Sequence, residues 1–237
     1  MLNVIYRASD NGYNKPKFPN ATKWNCLQNA IREFGAGSFH LFLDETNLAQ
    51  RTMELINSTC VATPFASYQM YVGGSSAGSF RHVFDYALKT FKPEDVVYFL
   101  EDDYLHLPNS AAIMEEGLAI ADYVSLYDHA DKYIPANKGG NPLIDIDGGE
   151  ITKVFRTKST HWKLTNSTTM TFACTIEQLQ QDIEIWQKYT VGTHPHDMQI
   201  FLDLRERGRS LVTPIPGYST HCEPAWASPG VKWENVL

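Results

Sequence analysis

The residues of this 237-residue chain best suited to chemistry are three consecutive carboxylates, Glu101, Asp102 and Asp103. They follow Val96-Val97-Tyr98-Phe99-Leu100, a continuous apolar run of the kind that a strand covered on both faces requires. Few basic residues stand nearby in sequence, and like charges set beside a buried strand are costly unless a cation neutralises them. Carboxylate oxygens suit Mg2+ or Mn2+, hard ions that usually share their coordination shell with substrate phosphates. The run therefore reads as a metal-dependent phosphate site rather than a solvated acidic turn.

Two further stretches concentrate polar groups. Gly73-Gly74-Ser75-Ser76-Ala77-Gly78-Ser79-Phe80-Arg81 is a Gly/Ser-rich loop opening a helix, whose N–H groups can receive a phosphate. It is not a Walker loop, because no Gly-Lys-Ser/Thr follows. His194-Pro195-His196 invites a zinc reading with His161 or His221, but no Cys or Glu at zinc-site spacing accompanies the pair.

These groups need a scaffold. Residues 2–7, 39–43, 67–72 and 96–100 read as strands, and 22–34, 48–57 and 77–90 as helices with apolar residues on one face. Trp24, Leu27, Ile31 and Phe34 share a face of the first helix, which Gly35-Ala36-Gly37 stops. Such alternation calls for an α/β fold with a mainly parallel central sheet flanked by helices, whose ligands bind beyond the carboxyl ends of the strands. Arg7, Asp44 and the carboxylate run all fall at such ends. The second half is less regular. It reads as a helix over 109–121, short strands over 123–126, 151–155 and 169–173, a helix over 175–189 opened by Thr175, and a helix over 197–207 ended by Gly208. The Pro- and aromatic-rich tail from Thr213 reads as an ordered loop over the site.

An apolar strand running into Glu-Asp-Asp resembles the DXD-type motif of nucleotide-sugar-dependent glycosyltransferases with the GT-A fold. The resemblance implies a Rossmann-like GT-A domain over 1–237, with a nucleotide-sugar-binding half (1–107) and a smaller, mixed acceptor-binding half (108–237). It implies Asp103 as metal ligand, Asp102 as ribose or sugar contact, and Glu101 as donor contact or support. His221, in a late loop, would be the second ligand to Mn2+ or Mg2+. Asp197 would be the general base of an inverting transfer, with His196 standing where the family usually has Glu; a retaining transfer is the alternative, and as a residue Asp197 also suits a helix N-cap. Arg7 would meet the base or phosphate and Asp44 the uracil or ribose; Arg81, one turn into the helix that the Gly/Ser-rich loop opens, reads from its position as a nucleotide contact or a solvated helix residue. Residues 165–171 with His161, Trp162 and Trp226 would form the acceptor pocket. The function implied is transfer of a sugar from a nucleoside diphosphate sugar, UDP-sugar favoured, to a hydroxyl of a carbohydrate or other acceptor. Two rivals stand beside it. A sugar-1-phosphate nucleotidyltransferase typically has a Gly-rich Arg/Lys signature after the first strand, where this chain has Arg7-Ala8-Ser9-Asp10-Asn11-Gly12. The other is a catalytically silent nucleotide- or carbohydrate-binding module.

Bulk properties set the outer bounds. A net charge of −7 argues against a nucleic-acid partner. With 43% hydrophobic residues the chain can bury a core without staples. Cys26, Cys60, Cys174 and Cys222 are scattered without a CxxC pair and read as reduced thiols. No apolar run is long enough for a membrane span, and the expected location is cytoplasmic.

Overall fold

The computed structural model describes residues 1–9, 16–44 and 65–237. The helix expected over 48–57, the loop 10–12 and Cys60 lie outside them. Eleven strands are described: β1 (Leu2–Ser9), β2 (Phe39–Asp44), β3 (Ser67–Tyr71), β4 (Val96–Glu101), β5 (Tyr104–His106), β6 (Tyr123–Val124), β7 (Val154–Arg156), β8 (His161–Leu164), β9 (Phe172–Thr175), β10 (Leu211–Ile215) and β11 (Ser219–His221). The α-helices are α1 (Lys23–Phe34), α2 (Ser76–Thr90), α3 (Ser110–Leu118), α4 (Ile176–Gln181), α5 (Ile183–Tyr189) and α6 (Asp197–Glu206).

Nine strands form one sheet in the order β3-β2-β1-β4-β9-β6-β10-β8-β7, and β11 pairs with β5 in a separate ribbon. The first four are mutually parallel, as the alternating pattern requires. Beyond β4 the sheet is mixed, since β9 runs antiparallel to both β4 and β6. The chain moves outward from β1 to β2 and β3, then returns to place β4 on the other side of β1. That reversal opens a crevice between the carboxyl ends of β1 and β4.

Alternate residues of the strands feed two cores. Val4, Tyr6, Leu41, Tyr98 and Leu100 pack under α1 and α3. Ile5, Phe42, Val97 and Phe99 pack against α2, α4, α5 and α6 on the other face, where Trp186 stacks on Phe172 at 4.8 Å. Side chains are thus buried on both faces of β4, which explains its unbroken apolar sequence. Thr22 and Thr175 cap α1 and α4 by accepting from Asn25 N–H and Gln178 N–H, contacts worth about 1 kcal/mol each.

Several boundaries differ from the sequence reading. The helix expected over 175–189 is broken at Asp182, whose φ of −108° and ψ of 12° leave the helical region. Its buried carboxylate turns inward to accept from Tyr123 Oη at 2.8 Å and Arg209 Nε at 3.1 Å. The strand expected over 169–173 begins at Phe172, which leaves Thr169 and Met170 at the mouth of the crevice. The tail is more regular than expected. Its first segment is β10, paired with β6 only at Leu211 and Val212 and with β8 through Ile215. Pro214 lies where the β6 pairing has ended, so its missing N–H breaks no ladder on that side. Trp162, expected in an acceptor pocket, is a core residue with no exposure; Gly117 of α3 lies so close to its ring that a Cβ there would overlap it.

Candidate active site

A cleft of about 710 Å3 lies at the β1/β4 crevice. It is lined by Arg7, Asp44, Glu101, Asp102, Asp103, Asp197 and His221, seven of the eight residues given a donor, metal or proton-transfer role from the sequence. Arg81 is the exception and is exposed on α2. Ser79 of that helix lines the cleft, and at 100° per residue Arg81 lies about 200° around the axis from it.

The parallel register of β1 and β4 sets Arg7 beside Glu101. The Arg7 guanidinium, 7% exposed, reaches Glu101 Oε1 at 3.0 Å and Ser79 Oγ at 3.3 Å, with the Phe80 ring 5.4 Å away. Its Nε is buried without a hydrogen-bond partner. Burial pushes the Glu101 carboxyl above its ordinary value, and Arg7 offsets part of that rise. Asp102 accepts from Ser9 N–H and from Lys23 Nζ, both at 3.0 Å, and burial and the neighbouring Asp103 raise its pKa. Asp103 Oδ2 lies 3.0 Å from His221 Nε2 and 3.2 Å from Lys17 Nζ. Burial alone would raise Asp103, but the His221 hydrogen bond and the Lys17 charge outweigh it and hold the carboxyl well below the usual range.

The β5–β11 ribbon positions His221. It pairs His221 with Tyr104, Cys222 N–H donates to Asp103 O at 2.8 Å, and the Tyr104 ring stands edge-on to the imidazole at 5.4 Å. Asp44 is held by Gly73, whose N–H donates to its Oδ1 at 2.8 Å. A Cβ on Gly73 would overlap both the Asp44 carboxylate and the Ser79 side chain, so only glycine fits there.

The Gly/Ser-rich loop does less than the sequence suggested. Ser75 Oγ takes the Gly78 N–H at 3.0 Å and Thr193 O takes the Ala77 N–H at 3.2 Å. Two of the first-turn donors that would bind a phosphate are therefore already engaged.

Asp197 begins α6, with His196 rather than Asp197 at the capping position. Its Oδ1 accepts from Met198 N–H at 2.8 Å. Burial raises its pKa, while the Met198 N–H and the charges of His129 and Lys132 pull it back. A carboxylate made more basic than usual is suited to accept a proton. His194 and Pro195 share the cleft, but His161 of β8 does not. Among the described residues no three His, Cys, Asp or Glu side chains are grouped as a metal cage. Asp103 and His221, 3.0 Å apart, supply one hard and one borderline donor, types that Mn2+ accepts.

Lys17 and Lys23 were missed in the sequence. Lys23 carried a signal, because a cation in the first turn of a helix opposes the helix dipole and so calls for a partner. Lys17 carried none.

The sequence matches no family model, and a search of curated proteins finds no relative. Among solved structures, a cytidylyltransferase from Leptospira borgpetersenii serovar Hardjo-bovis is similar at 9% identity and a TM-score of 0.42. The match covers 78% of this chain and 64% of that one. No helix among the described residues is long and apolar enough to cross a membrane. The geometry at hand is that of an α/β fold with a large mixed sheet and an acidic cleft at its topological switch point.

Proposed function

We propose that the chain transfers a sugar from a nucleoside diphosphate sugar, with a UDP-sugar favoured, to a hydroxyl of a carbohydrate acceptor, with inversion. One observation carries the reading: the carboxylate run after β4, His221 of β11 and Asp197 of α6, from three distant stretches of sequence, line a single cleft. Asp103 and His221 would hold Mn2+ or Mg2+, which supplies positive charge opposite the leaving diphosphate. Arg7 would present its guanidinium, which lines the cleft, to the donor, and Asp44 and Asp102 would take its hydroxyl or N–H groups. Asp197 accepts the proton of the attacking hydroxyl, and its raised pKa favours that role.

A thermal-shift titration of nucleoside diphosphates with and without Mn2+ tests the binding half. Stabilisation by UDP that requires the metal is expected, and stabilisation by no nucleotide removes the reading. Asp103→Ala should abolish metal-dependent hydrolysis of the donor. Pyrophosphate release from a nucleoside triphosphate and a sugar 1-phosphate would replace sugar transfer with nucleotidyl transfer.

A further inference from the structure

Cys26 and Cys222 stand 196 positions apart in sequence, yet their Sγ atoms are 3.6 Å apart. Both have no exposure. Cys26 is in the first turn of α1, and Cys222 follows β11 directly. They pack with Ala21, Leu105 and Trp233 in a small core of their own, separate from the two beside the main sheet. The backbone at Cys222 is anchored on both sides, since its N–H donates to Asp103 O at 2.8 Å and its O accepts from Phe18 N–H at 3.0 Å. Sulfurs in van der Waals contact need approach by only about 1.5 Å to reach bonding distance, a shift that small side-chain rotations supply. Cys174 is buried on β9 in a different core.

We propose that Cys26 and Cys222 are a disulfide-forming pair that staples the C-terminal segment to α1. The oxidant is a small-molecule disulfide such as glutathione disulfide. One protein thiolate attacks it and expels a glutathione thiolate, which takes up a proton. The second protein thiolate then attacks the protein sulfur of the mixed disulfide and expels the second glutathione. Two protein thiols lose two electrons and two protons, and one glutathione disulfide becomes two thiols. The bond joins α1, which holds Lys23 against Asp102, to the residue that follows β11, the strand that holds His221 against Asp103. It does not depend on the reaction proposed above.

Access sets the timing. With both sulfurs enclosed, the folded chain offers neither of them to an oxidant. Closure is fast only while the segment after β10 is undocked, as during refolding. In an oxidising compartment the staple is closed on folding, and in a reducing one it stays open.

The test refolds denatured, reduced full-length protein in a glutathione redox buffer, alkylates free thiols and digests with trypsin. The expected product is peptide 24–32 joined to peptide 210–232 with two hydrogens lost. Reductant should sever the link, and the oxidised sample should melt higher by on the order of 5–10 °C, since the closed loop is long. Recovery of both peptides singly alkylated overturns the proposal, as does linkage of either cysteine to Cys174 or Cys60. Cys26→Ser and Cys222→Ser must each abolish the linked peptide and the oxidant-dependent melting shift. Persistence of the shift in either variant assigns it to another pair and also overturns the proposal. Should both variants fail to fold, the peptide map of the unaltered chain decides alone.

Discussion

Replacing Lys17 with Met separates an ammonium from a metal ion as the natural partner of Asp103. Lys17 Nζ stands 3.2 Å from Asp103 Oδ2, and the two side chains are 28% and 16% exposed. Open surface pairs contribute up to about 1 kcal/mol, and pairs fully withdrawn from water contribute more when one partner is removed. This pair lies between those limits and near the lower one. An ion binding at Asp103 must give back that interaction, so Lys17→Met should tighten Mn2+ binding by about 1 kcal/mol, or about fivefold. The measurement is a Mn2+ titration followed by electron paramagnetic resonance, without nucleotide and at fixed ionic strength. Lys23→Met is the control, because it removes the same charge from Asp102 instead. Unchanged or weaker binding in Lys17→Met refutes the reasoning. Equal gains in the two variants refute it too, since they would reflect net charge and not a ligand set free.

Three other outcomes follow from the same geometry. Asp197→Asn should lower kcat by about 10²–10⁴ and remove the acidic limb of the pH–rate profile, which burial should shift above the ordinary carboxylate range; a retained limb would assign it to another group. Lys163→Met strands Asp128, 2.9 Å from the ammonium, and Glu150 at 3.5 Å, all buried. It should lower the unfolding free energy by about 3–5 kcal/mol, read as a lower urea midpoint, and an unmoved midpoint contradicts the pairing. His106 is fully buried, with Nε2 on Tyr98 Oη at 2.9 Å and its pKa lowered by burial to about 3. The unfolded chain binds this proton below about pH 6.5 and the folded chain does not until about pH 3, so stability falls as pH drops through that window, by about 2 kcal/mol at pH 5. His106→Gln should flatten that slope, and identical slopes in the two proteins would exclude the residue as its source.

The parallel half of the fold was legible because each of its elements carries its own signal. Val96–Leu100 is apolar throughout since both of its faces are covered, and α1 and α2 show clean one-sided spacing. The second half hid for local reasons. The break at Asp182 comes from a carboxylate satisfied by Tyr123 and Arg209, partners 59 and 27 positions away. Pro214 and Pro216 argued against a strand at β10, and only the register shows that Pro214 falls past the end of its β6 pairing. In the site, residues at strand ends were found from their position alone. Arg81 was misplaced because a helix turns by 100° per residue and membership of a polar loop does not fix the face on which a side chain emerges.

The carboxylate run needs a different account from the one its sequence suggested. Lack of nearby basic residues seemed to demand a metal ion, yet each carboxylate has a protein cation: Arg7 on Glu101 at 3.0 Å, Lys23 on Asp102 at 3.0 Å and Lys17 on Asp103 at 3.2 Å. Sequence distance was the wrong measure, because parallel pairing sets Arg7 beside Glu101 and α1 carries Lys23 back over the ends of the strands. The cluster is therefore balanced without an ion, and electrostatic need no longer argues for one. What argues for one is the proposed donor. A diphosphate entering alone brings negative charge to cations that are already paired. With a divalent ion, Asp103 would hold the ion and Lys17 would be released toward the phosphates. Nucleotide and metal should then each tighten the binding of the other by the same factor, as linkage requires. Independent binding of the two would mean that the balanced cluster, and not an ion, is what the donor meets.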